Sequence, residues 1–255
     1  MIKKFILIWI FAFIMFALFG CDKSIENNSQ IVEDTDAQPM PMTFEDGVVI
    51  PPWVEPGERN GARWHYLYAD NDILSAVRLS DAIARVKVGN FEEEKRYHDG
   101  MGNTTFEVEI TECIKGSLSG KVYVAWDAYS EGANAKVELP FYGDELIVFL
   151  AKNETGDGYS VYCDIDYDVI DMNGQKYCVS RHYGGLIYQL SQLLPDYHLD
   201  EYPFLVDEAV SKLNERTIYW NEKTGRDYAT INENSIGEIY LLSDFVSLIE
   251  YILNE

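Results

Sequence analysis

The sequence predicts an α+β protein that is mainly antiparallel β-structure, a small barrel or sandwich, followed by a helical C-terminal extension. Short runs of alternating apolar and polar residues recur along residues 82–180, separated by glycine-containing turns, which is typical of such β-folds. After Gly184 and Gly185 the apolar residues recur every three or four positions instead, which is the period of a helix.

The individual strands follow from this alternation. Runs with strand character occupy residues 63–68, 82–88, 106–111, 121–126, 145–150, 159–163, 164–171 and 175–180. The run at 145–150 is apolar on both faces, so we place it centrally in the sheet. Asn173-Gly174 predicts a two-residue hairpin turn that sets Cys178 opposite Val169. The polar segment around His98 predicts an exposed loop between the strands at 82–88 and 106–111.

Helices are predicted from the spacing of apolar residues. They cover residues 72–79, 186–194, 204–213 and 245–253. The first carries Ile73, Ala76 and Val77 on one side, and Ser243 with Asp244 can cap the last.

The segment 217–234 is polar and mixed, which favours a long loop with a strand at 217–220. The C-terminal quarter is therefore mostly helical. It either packs on the β part or stands as a small subdomain.

The N-terminus has the features of an export signal. Lys3 and Lys4 precede an unbroken apolar run at residues 5–19, and Gly20 and Cys21 follow it. This order is typical of a bacterial lipoprotein signal, so Cys21 is the predicted lipidation site and the first mature residue. The alternative is an uncleaved transmembrane helix, because the apolar run is long enough to span a bilayer. Both interpretations place the bulk of the chain outside the cytoplasm, and lipidation would hold it at the cell membrane.

The predicted organisation has four parts. These are a signal peptide at 1–20, a disordered acidic tether at 21–60, a β-barrel domain at 61–182 and a helical C-terminal subdomain at 183–255. The tether assignment depends on residues 22–45, which are polar, acidic and without apolar periodicity. Such a composition cannot bury enough surface to offset the entropy of ordering.

The charge balance excludes some classes of partner. The 255 residues include 20 basic and 43 acidic side chains, a net charge of −23. Removal of residues 1–20 takes Lys3 and Lys4 away and leaves −25. We expect no nucleic-acid partner, since phosphates require basic contacts. The same charge argues against a chain that lies flat on an anionic bilayer and favours solubility beyond the membrane.

Three cysteines remain once Cys21 is lipidated, namely Cys113, Cys163 and Cys178. They form no CxxC pair and no histidine stands at zinc-binding spacing from them. A Cys163–Cys178 disulfide is an open alternative, although the hairpin register gives it no support. We expect all three to be small buried hydrophobic residues.

Asp164, Asp166 and Asp168 are the candidates for a metal ion. An EF-hand loop that started at Asp164 would need glycine at its sixth position and glutamate at its twelfth, where Val169 and Gln175 stand instead. The two-residue period predicts instead that the three carboxylates share a solvated strand face. No metal or cofactor is expected, and a divalent cation would be sought here first.

Catalytic motifs are missing from the sequence. The histidines lack the spacing of a HExxH motif, there is no Gly-x-Ser-x-Gly elbow, and the glycines at 156 and 158 precede no helix. These histidines are His65, His98, His182 and His198. We therefore assign no catalytic residue. The 18 tyrosines and five tryptophans are more typical of a core than of a binding surface.

Three stretches resemble a known family. They are residues 80–88, residues 105–110 with Ile114-Lys115-Gly116, and residues 143–150. They are similar to a β-barrel module of secreted proteins and lipoproteins of Gram-positive bacteria. The resemblance covers about residues 70–180 and implies an OB-like barrel, comparable with that of tissue metalloproteinase inhibitors. Those inhibitors place a free N-terminal cysteine on the protease zinc, whereas an acylated Cys21 could not act in this way.

The function expected from these observations is that of a lipid-anchored cell-surface protein. We expect a non-catalytic binding or interaction module for an unidentified protein or glycan. The alternative is an envelope hydrolase whose carboxylates converge only in the folded chain. A sensory or accessory role beside a transporter or sporulation system has no support in particular residues.

Overall fold

A computed structural model describes residues 40–52, 73–96, 101–129, 139–153, 158–180, 194, 197–228 and 230–255. All of them belong to one compact unit, Ile31–Glu255. The export signal with Cys21, the strand at 63–68 and all but Leu194 of the helix at 186–194 lie outside the described residues. Within the described part, no helix has the length and hydropathy needed to cross a membrane.

The described residues form a seven-stranded sheet, a separate two-stranded hairpin and three α-helices. The strands are β1 (Met42–Thr43), β2 (Val49–Ile50), β3 (Ala82–Arg96), β4 (Met101–Lys115), β5 (Gly120–Tyr129), β6 (Glu145–Lys152), β7 (Tyr159–Met172), β8 (Gln175–Val179) and β9 (Ile239–Leu241). The helices are α1 (Ile73–Leu79), α2 (Val206–Thr224) and α3 (Leu242–Asn254). This architecture confirms the α+β class.

The large sheet is mostly antiparallel. Its strands follow the order β5-β4-β3-β6-β7-β8-β9, and each of these neighbouring pairs is antiparallel. One additional pairing is parallel and joins β5 to β7 through Val124 with Tyr159 and Ala125 with Ser160. The prediction that 145–150 is central is confirmed, because β6 lies between β3 and β7 with its residues 146–150 all buried.

The long β3–β4 hairpin corrects the predicted loop. β3 continues to Arg96 and β4 begins at Met101, so only residues 97–100, including His98, are not described. Phe91 pairs with Phe106, and their rings meet edge to face with centroids 6.3 Å apart. The residues of β3 beyond Phe91 are polar and gave no strand pattern, but backbone pairing continues as far as Arg96 with Gly102.

The β7–β8 hairpin forms as predicted. Asn173 and Gly174 have φ values of 55° and 78°, the left-handed conformations that a tight two-residue turn requires. Val169 pairs with Cys178, which confirms the expected register. The two predicted strands at 159–163 and 164–171 are one continuous strand.

Three apolar clusters pack on the sheet. The first lies on one face of β3 to β7 and includes Val86, Phe106 and Trp126. The second lies on the other face of β3, β6 and β7, where α1 and α3 pack. Ile73, Ala76 and Val77 of α1 are buried in it, as the helical spacing predicted. The third lies between α2 and the β7–β9 end of the sheet. The C-terminal quarter therefore packs on the β part and also supplies a strand to it.

Helix α2 is longer than predicted. The predicted strand at 217–220 is wrong, and so is the predicted loop up to residue 224, because α2 continues to Thr224. Its buried residues Ala209, Leu213, Thr217 and Trp220 keep the helical period. Thr217 disguises that period because it is polar, but its hydroxyl donates to the Leu213 carbonyl at 3.1 Å, which makes it compatible with burial.

Helix α3 also begins earlier than predicted. It starts at Leu242, and its N-cap residue Leu241 makes no side-chain capping hydrogen bond. The predicted cap by Ser243 and Asp244 is wrong, because both residues lie inside the first turn, where the Ser243 hydroxyl donates to Asp244. The start is set by packing, since Phe245, Leu248, Ile249 and Ile252 are all buried.

The small β1–β2 hairpin packs on the C-terminal half of α2. Trp220 is buried against it and stacks on Phe141 at 5.9 Å between ring centroids. Lys223 forms an ion pair with Asp46 at 3.0 Å and lies 4.5 Å from the Phe44 ring centroid. Burial of aromatic side chains and the contacts of Lys223 therefore hold the hairpin on α2.

Candidate functional site

An open groove lies where the ends of β4, β8 and β9 meet the first turns of α3. Its volume is about 520 Å³. Its lining residues come from four separate elements, namely Glu112, Gln175, Lys176, Leu241, Leu242, Ser243 and Val246. The groove is mainly apolar, with a few polar groups at one side, which is the usual composition of a binding site.

The polar side of the groove is a network of paired charges. Glu145 on β6 accepts hydrogen bonds from Lys176 on β8 at 2.7 and 3.1 Å and from Arg85 on β3. Arg85 also lies 3.6 Å from Glu112 on β4. Two cations and two carboxylates thus alternate across four strands and largely neutralise one another.

Glu145 is held ionised at the centre of this network. Burial raises the pKa of its carboxyl group, but the hydrogen bonds from Lys176 and Arg85 outweigh that effect and leave the pKa below its usual value. The carboxylate therefore fixes two cations in place at neutral pH. It is a poor candidate for a general acid, which would need a raised pKa.

The apolar side of the groove comes from the start of α3. Leu241, Leu242 and Val246 are half-buried, whereas their neighbours Phe245 and Leu248 face the core and are fully buried. Side chains three and four residues apart share a face of a helix. Leu242 and Val246 are therefore an apolar strip that the sheet leaves partly uncovered.

A second polar cluster lies where α2 contacts β7. Arg216 of α2 lies 3.0 Å from Asp144, which precedes β6, and 3.0 Å from Asp168 of β7. The side chains of Asp144 and Asp168 are only 2% and 1% exposed. Asp144 also accepts a hydrogen bond from the Phe141 amide at 2.8 Å. The cluster joins three segments beneath α2, where a substrate has no access to the carboxylates.

The candidate metal ligands do not form a shared site. Asp166 accepts a hydrogen bond from the Trp126 indole at 2.9 Å, and Asp168 contacts Arg216. The side chain of Asp164 lies outside the described set. Within the described residues, no group of three histidine, cysteine, aspartate or glutamate side chains is placed to hold a metal ion.

The predicted solvated face of β7 is wrong at Asp166 and Asp168, which are 6% and 1% exposed. Tyr167 and Val169, on the opposite face, are buried as well. β7 is covered on both sides, because Trp126 lies against one face and α3 packs against the other. Alternation of polar and apolar residues indicates half-burial only when no partner is available for the polar side.

The residues that carry the family resemblance have structural tasks. The ammonium group of Lys115 donates to the carbonyl oxygens of Val77, Arg78 and Ser80, so the end of β4 caps the end of α1. Gly116 has a φ of 92°, and a side chain there would approach Ala82 at 3.3 Å. Lys115 and Gly116 therefore contribute to the fold, whereas Arg85 and Glu145 from the same stretches belong to the polar network beside the groove.

The cysteines and the described histidine have no catalytic geometry. Cys178 and Cys113 are free thiols, so the Cys163–Cys178 disulfide is ruled out. Cys178 is fully buried, as expected, and burial raises its pKa strongly. Cys113 is only half-buried, with its sulfur near the backbone of Lys115 and Leu118. His198 is exposed beside Asp200, and the other histidines are not described.

Sequence reasoning missed the residues that form both clusters. The first cluster combines residues that are distant in sequence, namely Lys176, Glu145 and Arg85. Alternation along a strand predicts which side chains share a face, but it does not predict which strands lie next to each other. Arg216 had a usable signal, because it lies seven residues after buried Ala209 and so on the same helical face.

No protein-family model, no curated protein and no solved structure matches this chain.

Proposed function

We propose that the protein is a lipid-anchored cell-surface protein and that its folded part is a non-catalytic binding module. Residues 1–20 direct export, Cys21 carries the lipid, and residues 22–39 connect the anchor to the fold. The tether predicted over 21–60 is thus shorter, because residues 42–50 form the β1–β2 hairpin that packs on α2. The support for this part is the order of positive, apolar and small residues before Cys21. The folded part then stands on the outer face of the cell membrane.

We further propose that β3 to β7 close into an OB-like barrel. The support is the ring of pairings β5-β4-β3-β6-β7, which returns to β5 through the parallel contact of Val124 with Tyr159. The apolar cluster with Phe106 and Trp126 would be the barrel interior, as closure of a small barrel requires. Helix α2 then covers one end of the barrel through Arg216.

The groove beside α3 is the proposed binding site. The observation that carries this assignment is a half-buried apolar strip, Leu242 and Val246, next to charges that are already paired. An apolar surface bordered by fixed polar groups suits a protein or glycan ligand. Glu145 positions Lys176 and Arg85, so a ligand would meet an ordered surface.

A hydrolase is the less favoured alternative. Asp144 and Asp168 are both close to Arg216 and therefore close to each other, as the two carboxylates of a glycosidase would be. Their burial beneath α2 and their shared guanidinium group keep both carboxylates away from a sugar. Glu112 is the one carboxylate among the described lining residues of the groove, and Glu145 beside it is paired and held ionised.

Binding can be tested with the full chain in mild detergent. The probes are immobilised arrays of cell-wall glycans and of peptides. We expect at least one class to bind, and we expect Val246→Asp combined with Lys176→Glu to reduce binding at least tenfold. The matched control is Lys212→Glu on the exposed side of α2. Undiminished binding by the groove variant would exclude this site, and release of sugars by the wild type would favour the hydrolase.

A further inference from the structure

Three buried oxygen atoms near the β7–β9 end of the sheet have no hydrogen-bond partner among the described residues. They are the hydroxyl oxygens of Tyr167 and Tyr240 and the Oε2 atom of Glu238. The two tyrosines are 1% and 0% exposed. Buried polar groups in native proteins are almost always hydrogen-bonded, to protein or to ordered water. Three such atoms in one region therefore require an explanation.

The strand register places the side chains of Tyr167 and Glu238 on one face. Asp168 pairs with Val179, and Val179 pairs with Ile239. Asp168, Val179 and Ile239 thus form a row across the three strands. Tyr167 is the residue before Asp168, and Glu238 is the residue before Ile239. Because side chains alternate along a strand, both point to the face opposite to that of Asp168.

The side chain of Tyr240 lies on the same face of the sheet as those of Tyr167 and Glu238. It pairs with Cys178, and it lies two residues after Glu238 on the same segment. The Glu238 carbonyl accepts the Ser180 amide at 2.9 Å, so the pairing of this segment with the neighbouring strand extends to Glu238. All three groups thus lie on one face of the sheet, with Tyr167 on β7, Glu238 and Tyr240 on the segment that includes β9, and β8 between them.

Electrostatic effects support this proximity. Burial raises the pKa of Tyr167 and of Tyr240, and the charge of Glu238 raises both further. Burial also raises the pKa of Glu238, with Glu201 as a second cause. The groups are therefore close enough to interact, although none of the three atoms bonds directly to another.

We propose that Glu238, Tyr167 and Tyr240 form a closed binding site for a single water molecule. The water accepts a hydrogen bond from each tyrosine hydroxyl and donates one to the Glu238 carboxylate. Buried waters typically make about three hydrogen bonds to groups that are otherwise unsatisfied. One molecule thus satisfies all three oxygens.

Water fits this donor set better than a cation does. Both phenol hydrogens need an acceptor, which a cation is not, whereas water offers lone pairs to the tyrosines and a hydrogen to the carboxylate. Cations such as Ca²⁺ also take about 6–8 oxygen ligands, and this site offers three.

The water would connect two strands under helix α3. Phe245 of α3 lies against both tyrosines, with ring centroids 4.5 Å from Tyr167 and 6.1 Å from Tyr240. This ring and the surrounding apolar cluster shield the site from bulk solvent. The bound water would therefore order β7 and β9 relative to each other at the place where α3 packs.

A high-resolution crystal structure of the full chain, with and without thallium(I) in the crystal, tests the proposal. We expect one density peak about 2.6–3.0 Å from all three oxygens and no thallium signal at this position. A thallium signal at this position would show that the site binds a cation and would overturn the proposal of a water site. Direct hydrogen bonds among the three groups without a peak would overturn the proposal.

A double-mutant cycle gives a second test in solution. Tyr167→Phe and Tyr240→Phe each remove one partner of the water, so the double variant should shift the denaturation midpoint by less than the sum of the single shifts. Additive shifts would contradict a shared water. The control pairs Tyr167→Phe with Tyr177→Phe, whose hydroxyl donates to Gln175, and these two should be additive.

Discussion

Arg216 of α2 and Asp168 of β7 lie 3.0 Å apart, and this contact joins the C-terminal helical part to the sheet. The carboxylate is buried, so its charge depends on the guanidinium group for compensation. Asp144 depends on the same group. Removal of the Arg216 guanidinium group would therefore take the same cation away from two buried carboxylates.

The first prediction concerns this cluster. Arg216→Met should lower the free energy of unfolding by about 3 kcal/mol, since breaking a buried ion pair leaves an uncompensated charge. Chemical denaturation of the full chain in mild detergent would measure the loss. Lys212→Met, one turn earlier on α2 and paired only with Glu215 at the surface, is the control and should leave the midpoint almost unchanged. Equal midpoints for both variants would show that the buried cluster contributes no stability.

The second prediction concerns the cap of α1. Lys115→Met should destabilise the fold by about 2 kcal/mol, because hydrogen bonds from a charged group to the carbonyl oxygens of Val77 and Arg78 are lost. Amide hydrogen exchange would show faster opening of α1. Lys121→Met, whose ammonium group meets only Glu107 at the surface, should leave exchange in α1 unchanged. Unaltered protection in the Lys115 variant would exclude the capping role.

The third prediction is a pH dependence that depends on Glu238. Burial and the charge of Glu201 raise the pKa of Glu238 to about 7 in the folded chain, from 4.5 in the unfolded one. The folded state then binds more protons than the unfolded state between these values, so this group's contribution to stability falls as the pH rises from about 4.5 through 7.

Glu238→Gln should remove this slope while preserving the shape of the side chain. The unfolding midpoints of the wild type and the variant would be measured at pH 5, 6, 7 and 8. The difference between them, wild type minus variant, should fall as the pH rises. Glu250→Gln on the exposed side of α3 is the matched control. A difference that stays flat from pH 5 to 8 would mean that Glu238 titrates normally.

The fourth prediction concerns thiol reactivity. Burial raises the pKa of Cys178 and removes it from solvent, so an alkylating reagent should leave Cys178 unmodified in the folded chain and modify it once denaturant is added. Peptide mapping by mass spectrometry would follow the residue. Fast modification without denaturant would indicate that α3 opens away from the sheet.

The strands were accessible from the sequence because each carries its own local pattern. The continuous apolar run at 145–150 predicted a central position, and the Asn173-Gly174 turn predicted a register, and the fold confirms both. Helix α2 was predicted too short because buried Thr217 interrupts an apolar period, and only its contact with the Leu213 carbonyl makes that position helical.

The binding groove and the ion clusters could not be predicted in the same way. Asp168 has the sequence context of a surface residue, and its burial depends on Arg216, 48 positions later. Likewise the groove combines residues of β4, β8 and α3, which meet only through the sheet order. Contacts between residues that are distant in sequence produce no periodic pattern of apolar residues in either segment, so the sequence does not predict them.

The proposal of a cell-surface lipoprotein depends most directly on Cys21. Cells that express the full chain would be grown with a radioactive fatty acid, and the protein would be immunoprecipitated. We expect label in the wild type and in the control Cys113→Ala, and none in Cys21→Ala. Label that persists in Cys21→Ala, or a wild type that never acquires label, would contradict the account.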